Sequence, residues 1–273
     1  MPTISQLIAA RLDLLEVSQR AVLCAASIVG RDFTLGALGV VSPGLSGPPG
    51  GRELDLMLNA LIRRRLIQRA STVVDSDITL RFASTAVREV AYVSVPKRVR
   101  ADLHERLADW LESADEGSAV LAAEVIGTQL EQAYLALSDL GPRDVRTREI
   151  GGRAAEHLAA AGIMALRRSD MRRATSLLER GNSLFPRDAP ARAACMEGLA
   201  EARIAIGEVK SGLQMMKRSR QVAMRLGDAA VVSHARLQLV YLEQEGRWTH
   251  DQIRGYDHRE SPQDESGLLT RCG

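Results

Sequence analysis

The chain has 273 residues, of which 45% are hydrophobic, 26% charged and only 3% aromatic, so it can form two modest globular domains with aliphatic cores. Its formal net charge of +2 excludes the strong positive field of a dedicated nucleic-acid binder. Three widely spaced cysteines, and no apolar run near the ~18 residues of a membrane span, predict a cytoplasmic protein without a membrane partner.

Three helical segments are predicted first. Thr3 followed by Gln6 matches a capping box, in which two side chains satisfy free backbone N–H groups at the start of a helix. A second apolar stripe at helical spacing ends at Gly30, and residues 33–41 form a third, shorter helical candidate. The stretch that follows, SPGLSGPPGG, predicts a loop.

A change of side-chain period follows a fourth predicted helix. This helix begins at Glu53 and carries leucine and isoleucine on one face up to Leu66, whereas residues 78–82 alternate apolar and polar side chains as a strand does. We expect strands at 66–70 and 78–82 to pair as a ribbon that rests on the helices, because an isolated ribbon is marginally stable. Helices followed by such a ribbon predict a winged-helix domain over residues 1–95.

Two further apolar stripes predict a helical hairpin linker over residues 96–144. Pro96 ends the helix that begins near Ser84, because proline disfavours helical backbone in the residue before it. The two stripes consist of Val99, Leu103, Leu107, Trp110 and Leu111, and of Ala123, Ile126, Leu130, Ala133 and Leu137. Their helical spacing indicates two helices that bury these faces against each other.

Small residues recur beyond residue 145 in a pattern typical of tetratricopeptide repeats. In the first unit, the small or apolar positions are Leu158, Ala161, Gly162, Ala165, Ala174, Leu178 and Gly181, with Pro186 at the closing turn. Successive turns are predicted at Ser169, Gly207 and Gly246, in steps of 38 and 39 residues. Because small residues let neighbouring helices approach closely, stacking is expected to stabilise this array.

The expected fold class is therefore mainly α. We predict a winged-helix domain with a small two-stranded wing, followed by a degenerate tetratricopeptide-like α-solenoid over residues 145–250. Residues 251–273 show no apolar period and are predicted to be a disordered tail or the end of a truncated reading frame.

Five segments together resemble one family of bacterial signalling proteins. They read LIAARLDLL, RAVLCAASIVGRDF, LIRRRLIQR, VREVAYVSVPKRVRADLHERLADWLE and IGTQLEQAYLALSDLGPRD. They are similar to the region downstream of the ATPase in STAND-type signal-transduction proteins, which include fusions of adenylate cyclase, ATPase and tetratricopeptide repeats. The resemblance implies that an NTPase domain precedes the winged helix and that the repeats sense a partner.

The resemblance also bears on nucleotide binding. The sequence contains no G-x-x-x-x-G-K-[ST] motif, so ATP is implied only for a preceding segment or a separate chain. Family members commonly carry a histidine after the wing strand, which contacts bound diphosphate in related switches, and here Ser84 occupies that position. A serine hydroxyl can cap a helix but cannot present an imidazolium to a phosphate, so we expect no cofactor in this chain.

Basic residues flank the predicted wing. They are Arg63, Arg64, Arg65 and Arg69 before it, and Lys97, Arg98 and Arg100 after it. Three interpretations stay open: a solvated face, docking against an acidic partner or the family's ATPase domain, and binding of DNA phosphates. Glu53 and Asp55, at the start of the helix before the wing, would repel phosphates if that helix entered a groove.

No group of residues predicts catalysis or metal binding. His104 has Glu105 and Asp109 near it, but these positions do not share one helix face, so we expect a packing or surface role. No nucleophile stands in a G-x-S-x-G turn. An unrecognised enzyme would instead need a deep polar pocket with shifted ionisable groups.

Methionines mark one further candidate surface. Met215, Met216 and Met224 could line a partner groove or belong to the core between repeats. In sum, the sequence predicts a non-catalytic regulatory or scaffold segment that binds a protein partner or its own ATPase domain, with no small-molecule substrate evident. The alternative is a transcription regulator that binds DNA through the winged helix.

Overall fold

A computed structural model describes residues 3–42, 51–74, 77–113, 119–142 and 144–241 of the chain. The described residues are mainly helical, with one small antiparallel sheet of three strands. None of the described helices combines the length and the apolar character that crossing a membrane requires. The predicted tail at 251–273 lies outside the described residues.

The N-terminal part combines short helices with short strands. Its elements are α1 (Ile4–Asp13), α2 (Val17–Val29), β1 (Asp32–Thr34), α3 (Leu35–Val41), α4 (Arg52–Arg63), β2 (Ile67–Val74), β3 (Asp77–Phe82) and α5 (Thr85–Ser94). The capping box of Thr3 and Gln6 is confirmed, and Gly30 ends α2 with a positive φ of 155°. The predicted fourth helix ends at Arg63, so Leu66 lies beyond it as a buried residue that leads into β2.

The sheet has one strand more than the predicted ribbon. The strand order is β1-β3-β2, and Phe33 of β1 pairs with Leu80 of β3. The prediction of a helix over 33–41 was therefore wrong at its start, where Phe33 belongs to a strand. The centres of the Phe33 and Phe82 rings lie 5.6 Å apart. A strand of three residues is too short to show an alternating period, so only the partner strand reveals it.

The C-terminal part is a row of helices. They are α6 (Lys97–Ser113), α7 (Ala119–Ser138), α8 (Val145–Arg167), α9 (Met171–Leu184), α10 (Ala191–Ala205), α11 (Val209–Leu226) and α12, the helical residues 229–241. The predicted hairpin of α6 and α7 also packs directly on α8, so it continues into the row. The turns predicted at Ser169 and Gly207 are confirmed, both with positive φ, whereas Gly246 lies outside the described residues.

Small residues bring the C-terminal helices close together. All seven predicted small or apolar positions between Leu158 and Gly181 are buried. A Cβ atom added at Gly162 would lie 2.6 Å from Leu178 Cγ, and one added at Gly212 would lie 2.8 Å from the backbone oxygen of Ala200. These glycines therefore set how closely α8 approaches α9 and how closely α10 approaches α11.

Ion pairs join helices that are two positions apart in this row. Between α6 and α8, Arg146 contacts Asp102 at 2.7 Å, and Arg153 contacts Asp109 at 2.6 Å. Between α7 and α9, the pairs are Arg173 with Glu124 and Arg180 with Glu131. These pairs therefore add polar contacts between helices that are not neighbours in the chain.

Candidate functional site

A buried polar network lies where α5, α6 and α7 meet, at the junction of the two parts of the molecule. The imidazole of His104 on α6 contacts the Tyr92 hydroxyl of α5 at 2.9 Å through Nε2 and the Gln129 side-chain oxygen of α7 at 2.5 Å through Nδ1. The Tyr92 hydroxyl is also 3.5 Å from Gln132 Oε1. Three helices are thus held together by polar contacts as well as by packing.

The buried position of His104 favours its neutral imidazole. His104 is only 2% exposed, and this burial lowers its pKa to about 4, against the opposing hydrogen bond with Gln129. The nearby charges of Arg88 and Arg100 lower the pKa further. A neutral imidazole has one donor and one acceptor, so Nδ1–H donates to Gln129 and Nε2 accepts from Tyr92.

Two arginines enclose the tyrosine of this network. The guanidinium carbons of Arg100 and Arg88 lie 4.8 and 5.6 Å from the centre of the Tyr92 ring, which places both cations within cation–π range. The Nε–H of Arg88 also donates to the backbone oxygen of Ser27 on α2 at 3.1 Å. Arg88 therefore joins the junction to the core of the N-terminal part.

Sequence reasoning placed His104 in a packing or surface role and missed its partners. The predicted stripe on α6 contains Leu103 and Leu107, which are buried against the N-terminal core. A second buried stripe, Ala101, His104 and Ala108, faces α7 at i, i+3 and i+7 spacing. The sequence contained one signal for this second buried face of α6. An alanine lies about one turn before the histidine, and another lies about one turn after it.

Some of the predicted basic residues have partners within the chain, and others are exposed. Arg64 Nη1 donates to the backbone oxygen of Leu14 at 3.3 Å, and Lys97 Nζ pairs with Asp139 of α7 at 3.0 Å. Because Arg100 packs on Tyr92, these three side chains already have structural partners. Arg63, Arg65, Arg69 and Arg98 are exposed.

Ser84 is the N-cap of α5. Its Oγ accepts a hydrogen bond from the backbone N–H of Val87 at 3.2 Å, as expected of a serine at this position. Arg81, just before it, forms an ion pair across the sheet with Asp32, which raises the pKa of Arg81. Both residues therefore stabilise the exit from β3 into α5.

The remaining candidates for metal binding or nucleophilic chemistry are histidine, cysteine and acidic side chains. Within the described ranges, no three histidine, cysteine, aspartate or glutamate side chains converge on a point where a metal could bind. His157 pairs with Glu112 and His234 with Glu197, both at 2.9 Å. Burial raises the pKa of Cys195 to about 12, so this thiol stays protonated at neutral pH.

The methionine stripe is divided between core and surface. Met216 is fully buried in a cluster with Ala200, Ala235 and Leu239, and Met215 packs against that cluster. Met224 is 62% exposed on the same helix. Two of the three methionines therefore belong to the core between neighbouring helices.

Comparison with known proteins identifies no relative. No protein-family model matches the sequence, and neither a curated protein nor a solved structure gives a match. The likeness to the STAND-type family accordingly rests on the five segments quoted above.

Proposed function

We propose that this chain is a non-catalytic regulatory segment of a STAND-type signalling ATPase or cyclase-associated regulator, acting in the cytoplasm through protein contacts. It comprises a winged helix and a degenerate tetratricopeptide array. ATP hydrolysis would belong to an NTPase domain supplied in the same or another polypeptide.

The arrangement of the N-terminal part supports the winged-helix proposal. Strand β1 follows α2, helices α3 and α4 come next, and strands β2 and β3 follow them. Strand β3 lies at the centre of the sheet and pairs antiparallel with β1 on one side and β2 on the other, which is in keeping with the sheet of a winged helix. The helices cover the sheet through Phe33, Leu80 and Phe82, all buried.

The arrangement of the C-terminal part supports the repeat proposal. Helices α8 and α9 form one pair and α10 and α11 a second, with positive-φ turns at Ser169 and Gly207 in equivalent places. The step of 38 residues between these turns exceeds the usual repeat of about 34, in keeping with a degenerate array. Stacked pairs of this kind form elongated surfaces suited to protein partners.

The buried junction carries the regulatory part of the proposal. Tyr92 of α5 and Gln129 of α7 both bind the imidazole of His104, so α5 and α7 cannot separate without leaving buried polar atoms unpaired. Leaving such atoms unpaired costs about 1–3 kcal/mol per group. A partner that displaces the helical row would therefore act directly on the last helix of the winged-helix part.

Direct DNA binding is the rival function, and the surface of α4 opposes it. Glu53, Asp55 and Leu56 are exposed on the first half of this helix, where a groove-binding helix would contact bases and phosphates. The exposed arginines Arg63 and Arg65 follow at its end, where they suit an acidic protein surface.

The test is a binding titration between the purified chain and the isolated NTPase domains of STAND-type proteins from the same genome. We expect one domain to bind, and replacement of Arg63, Arg65 and Arg69 by glutamine to weaken binding about tenfold in low salt. A matched control replaces three exposed arginines of the helical row, Arg172, Arg187 and Arg225, by glutamine. Failure of every domain to bind, or equal losses in both variants, contradicts the proposal.

A gel-shift titration with duplex DNA at ~50 mM salt separates the rival, because phosphate-driven affinity is greatest at low salt. We expect no retarded complex. A complex that is lost when Arg63, Arg65 and Arg69 are replaced would establish the DNA-binding function in place of the one proposed.

A further inference from the structure

We propose that a cavity in the N-terminal part binds a small apolar molecule that carries a primary amine. The cavity has a volume of about 380 Å³ and lies between α2, the end of α3, the start of α4 and the segment joining α5 to α6. Its size falls within the range of about 300–1,000 Å³ that is typical of small-molecule sites. This site goes beyond the proposed regulatory role and does not depend on it.

The walls of the cavity are predominantly aliphatic. They include Val22, Ala25, Val41, Met57, Val95 and Leu103. These side chains come from five different helices or their ends, so the cavity is formed by tertiary packing rather than by one helix surface. An alkyl chain that replaced water against these walls would gain hydrophobic free energy in proportion to the apolar area covered.

One carboxylate determines the polar end of the ligand. Glu53 lines the cavity at its exposed side and forms no ion pair with any described residue. Ser42, at the end of α3, also lines the cavity, but the surrounding protein encloses its Oγ, so this hydroxyl is not open to a ligand.

A primary ammonium group complements this carboxylate. It carries three N–H donors and a positive charge, so it can donate to Glu53 while its alkyl chain occupies the cavity. A carboxylate ligand would be repelled by Glu53, and an alcohol would gain no charge attraction. The combination of an aliphatic wall with this carboxylate therefore selects an alkylamine over its neutral and anionic counterparts.

The cavity contains its own reporter. Cys24 of α2 lines it and is partly accessible, with its Sγ 3.3 Å from the Ser94 hydroxyl. Reaction of this thiol with a small thiosulfonate reagent can be followed by mass spectrometry. A ligand in the cavity would slow that reaction, whereas a molecule bound elsewhere on the surface would leave it unchanged.

The experiment compares n-octylamine, n-octanol and n-octanoate on the full chain, below the concentrations at which they form micelles. A Cys272→Ser background removes one other thiol, and Cys24→Ser identifies the signal. We expect octylamine to protect Cys24 and to bind about fivefold more tightly than octanol, the preference expected of one exposed carboxylate. Octanoate should bind most weakly of the three.

Two variants and one control test the site directly. Glu53→Gln should remove the preference for the amine while octanol still binds, and Asp55→Asn, in the same first turn of α4, should retain it. Ala21→Phe should block all three ligands, because Ala21 lines the cavity at an exposed position where a larger side chain can be accommodated without unfolding. Circular dichroism verifies that each variant is folded.

Three results would each overturn the proposal. They are an absence of Cys24 protection by octylamine, equal affinities for octylamine and octanol in the wild-type chain, and unchanged preference for the amine in Glu53→Gln. The last result remains decisive even if Ala21→Phe does not fold.

Discussion

The two parts of the molecule bury their cores in different ways. Residues 3–95 fill space with large side chains, including the fully buried Phe33, Phe82, Leu23 and Leu38. The row from α6 onward combines buried leucines with many alanines and glycines, and Ala154, Ala155 and Ala174 are fully buried. The N-terminal part thus depends on the volume of its side chains, and the C-terminal row depends on the smallness of its residues.

The difference follows from the elements that each part must join. Short helices set against a three-stranded sheet leave wide gaps, which only large side chains can fill to normal packing density. Long helices lying side by side leave narrow gaps, and there an added methyl group becomes an obstacle. Arginine and acidic residues at the margins of the row then supply contacts that a thin core cannot.

The strongest way to break the N-terminal half of this comparison is Phe82→Ala. Phe82 is fully buried against Phe33, so we expect the free energy of unfolding to fall by about 3–5 kcal/mol, as measured by urea denaturation. Ile78→Ala is the control on the same strand, because Ile78 is 50% exposed and should change stability by less than about 1 kcal/mol. Equal losses in the two variants would show that the sheet does not rest on a packed core.

The junction between the two parts should respond to pH. Burial holds the pKa of His104 at about 4, below the ordinary 6.5, so the unfolded chain binds a proton that the folded chain excludes. Stability should therefore be unaffected by this group above pH 6.5 and fall as the pH decreases towards 4, by on the order of 3 kcal/mol. Urea titrations at several pH values measure the effect.

Two substitutions isolate that contribution. His104→Gln should remove this part of the pH dependence, while His157→Gln, on the partly exposed pair with Glu112, should leave it in place. If His104→Gln and the wild-type chain lose stability in parallel between pH 6.5 and 4, the imidazole is not held neutral in the folded protein.

Two glycines test whether smallness stabilises the helical row. A Cβ at Gly127 of α7 would lie 2.9 Å from the backbone nitrogen of Leu158, so Gly127→Ala should force α7 from α8 and lower stability by about 1–3 kcal/mol. Gly152 of α8 has nothing within 4 Å of its Cβ position, so Gly152→Ala should raise stability by up to about 1 kcal/mol through helix propensity. Thermal unfolding compares them, and a shift of the same sign in both contradicts close packing as the cause.

The smallest expected effect concerns the ion pairs. The Arg180 guanidinium pairs with Glu131, whose side chain is 13% exposed, and also donates to the Thr128 hydroxyl at 2.9 Å. We expect Arg180→Gln to cost about 1 kcal/mol, and Arg20→Gln, which breaks the more exposed pair with Asp13, to cost less than about 0.5 kcal/mol. Urea denaturation in low and high salt would show a larger salt dependence for Arg20 if this ranking is right.

Local patterns were enough to predict most of the helices. The capping box at Thr3, the cap at Ser84 and the turn at Gly207 each depend on residues within a few positions of one another. The buried positions of α8 and α9 were also correctly identified, because residues three or four apart in a helix share a face. The sequence by itself therefore determined the mainly helical class, the approximate positions of β2 and β3 and the small-residue faces of the row.

Only the tertiary structure decided where distant segments meet. Strand β1 forms because Phe33 and its neighbours pair with β3, the imidazole of His104, in contact with Tyr92 and Gln129, is neutral because the packed helices bury it, and Lys97 pairs with Asp139 of α7. None of these partners lies within one helical turn of the residue it contacts. Side-chain period reports which face of an element is buried, but the identity of the group across the interface depends on how the elements pack.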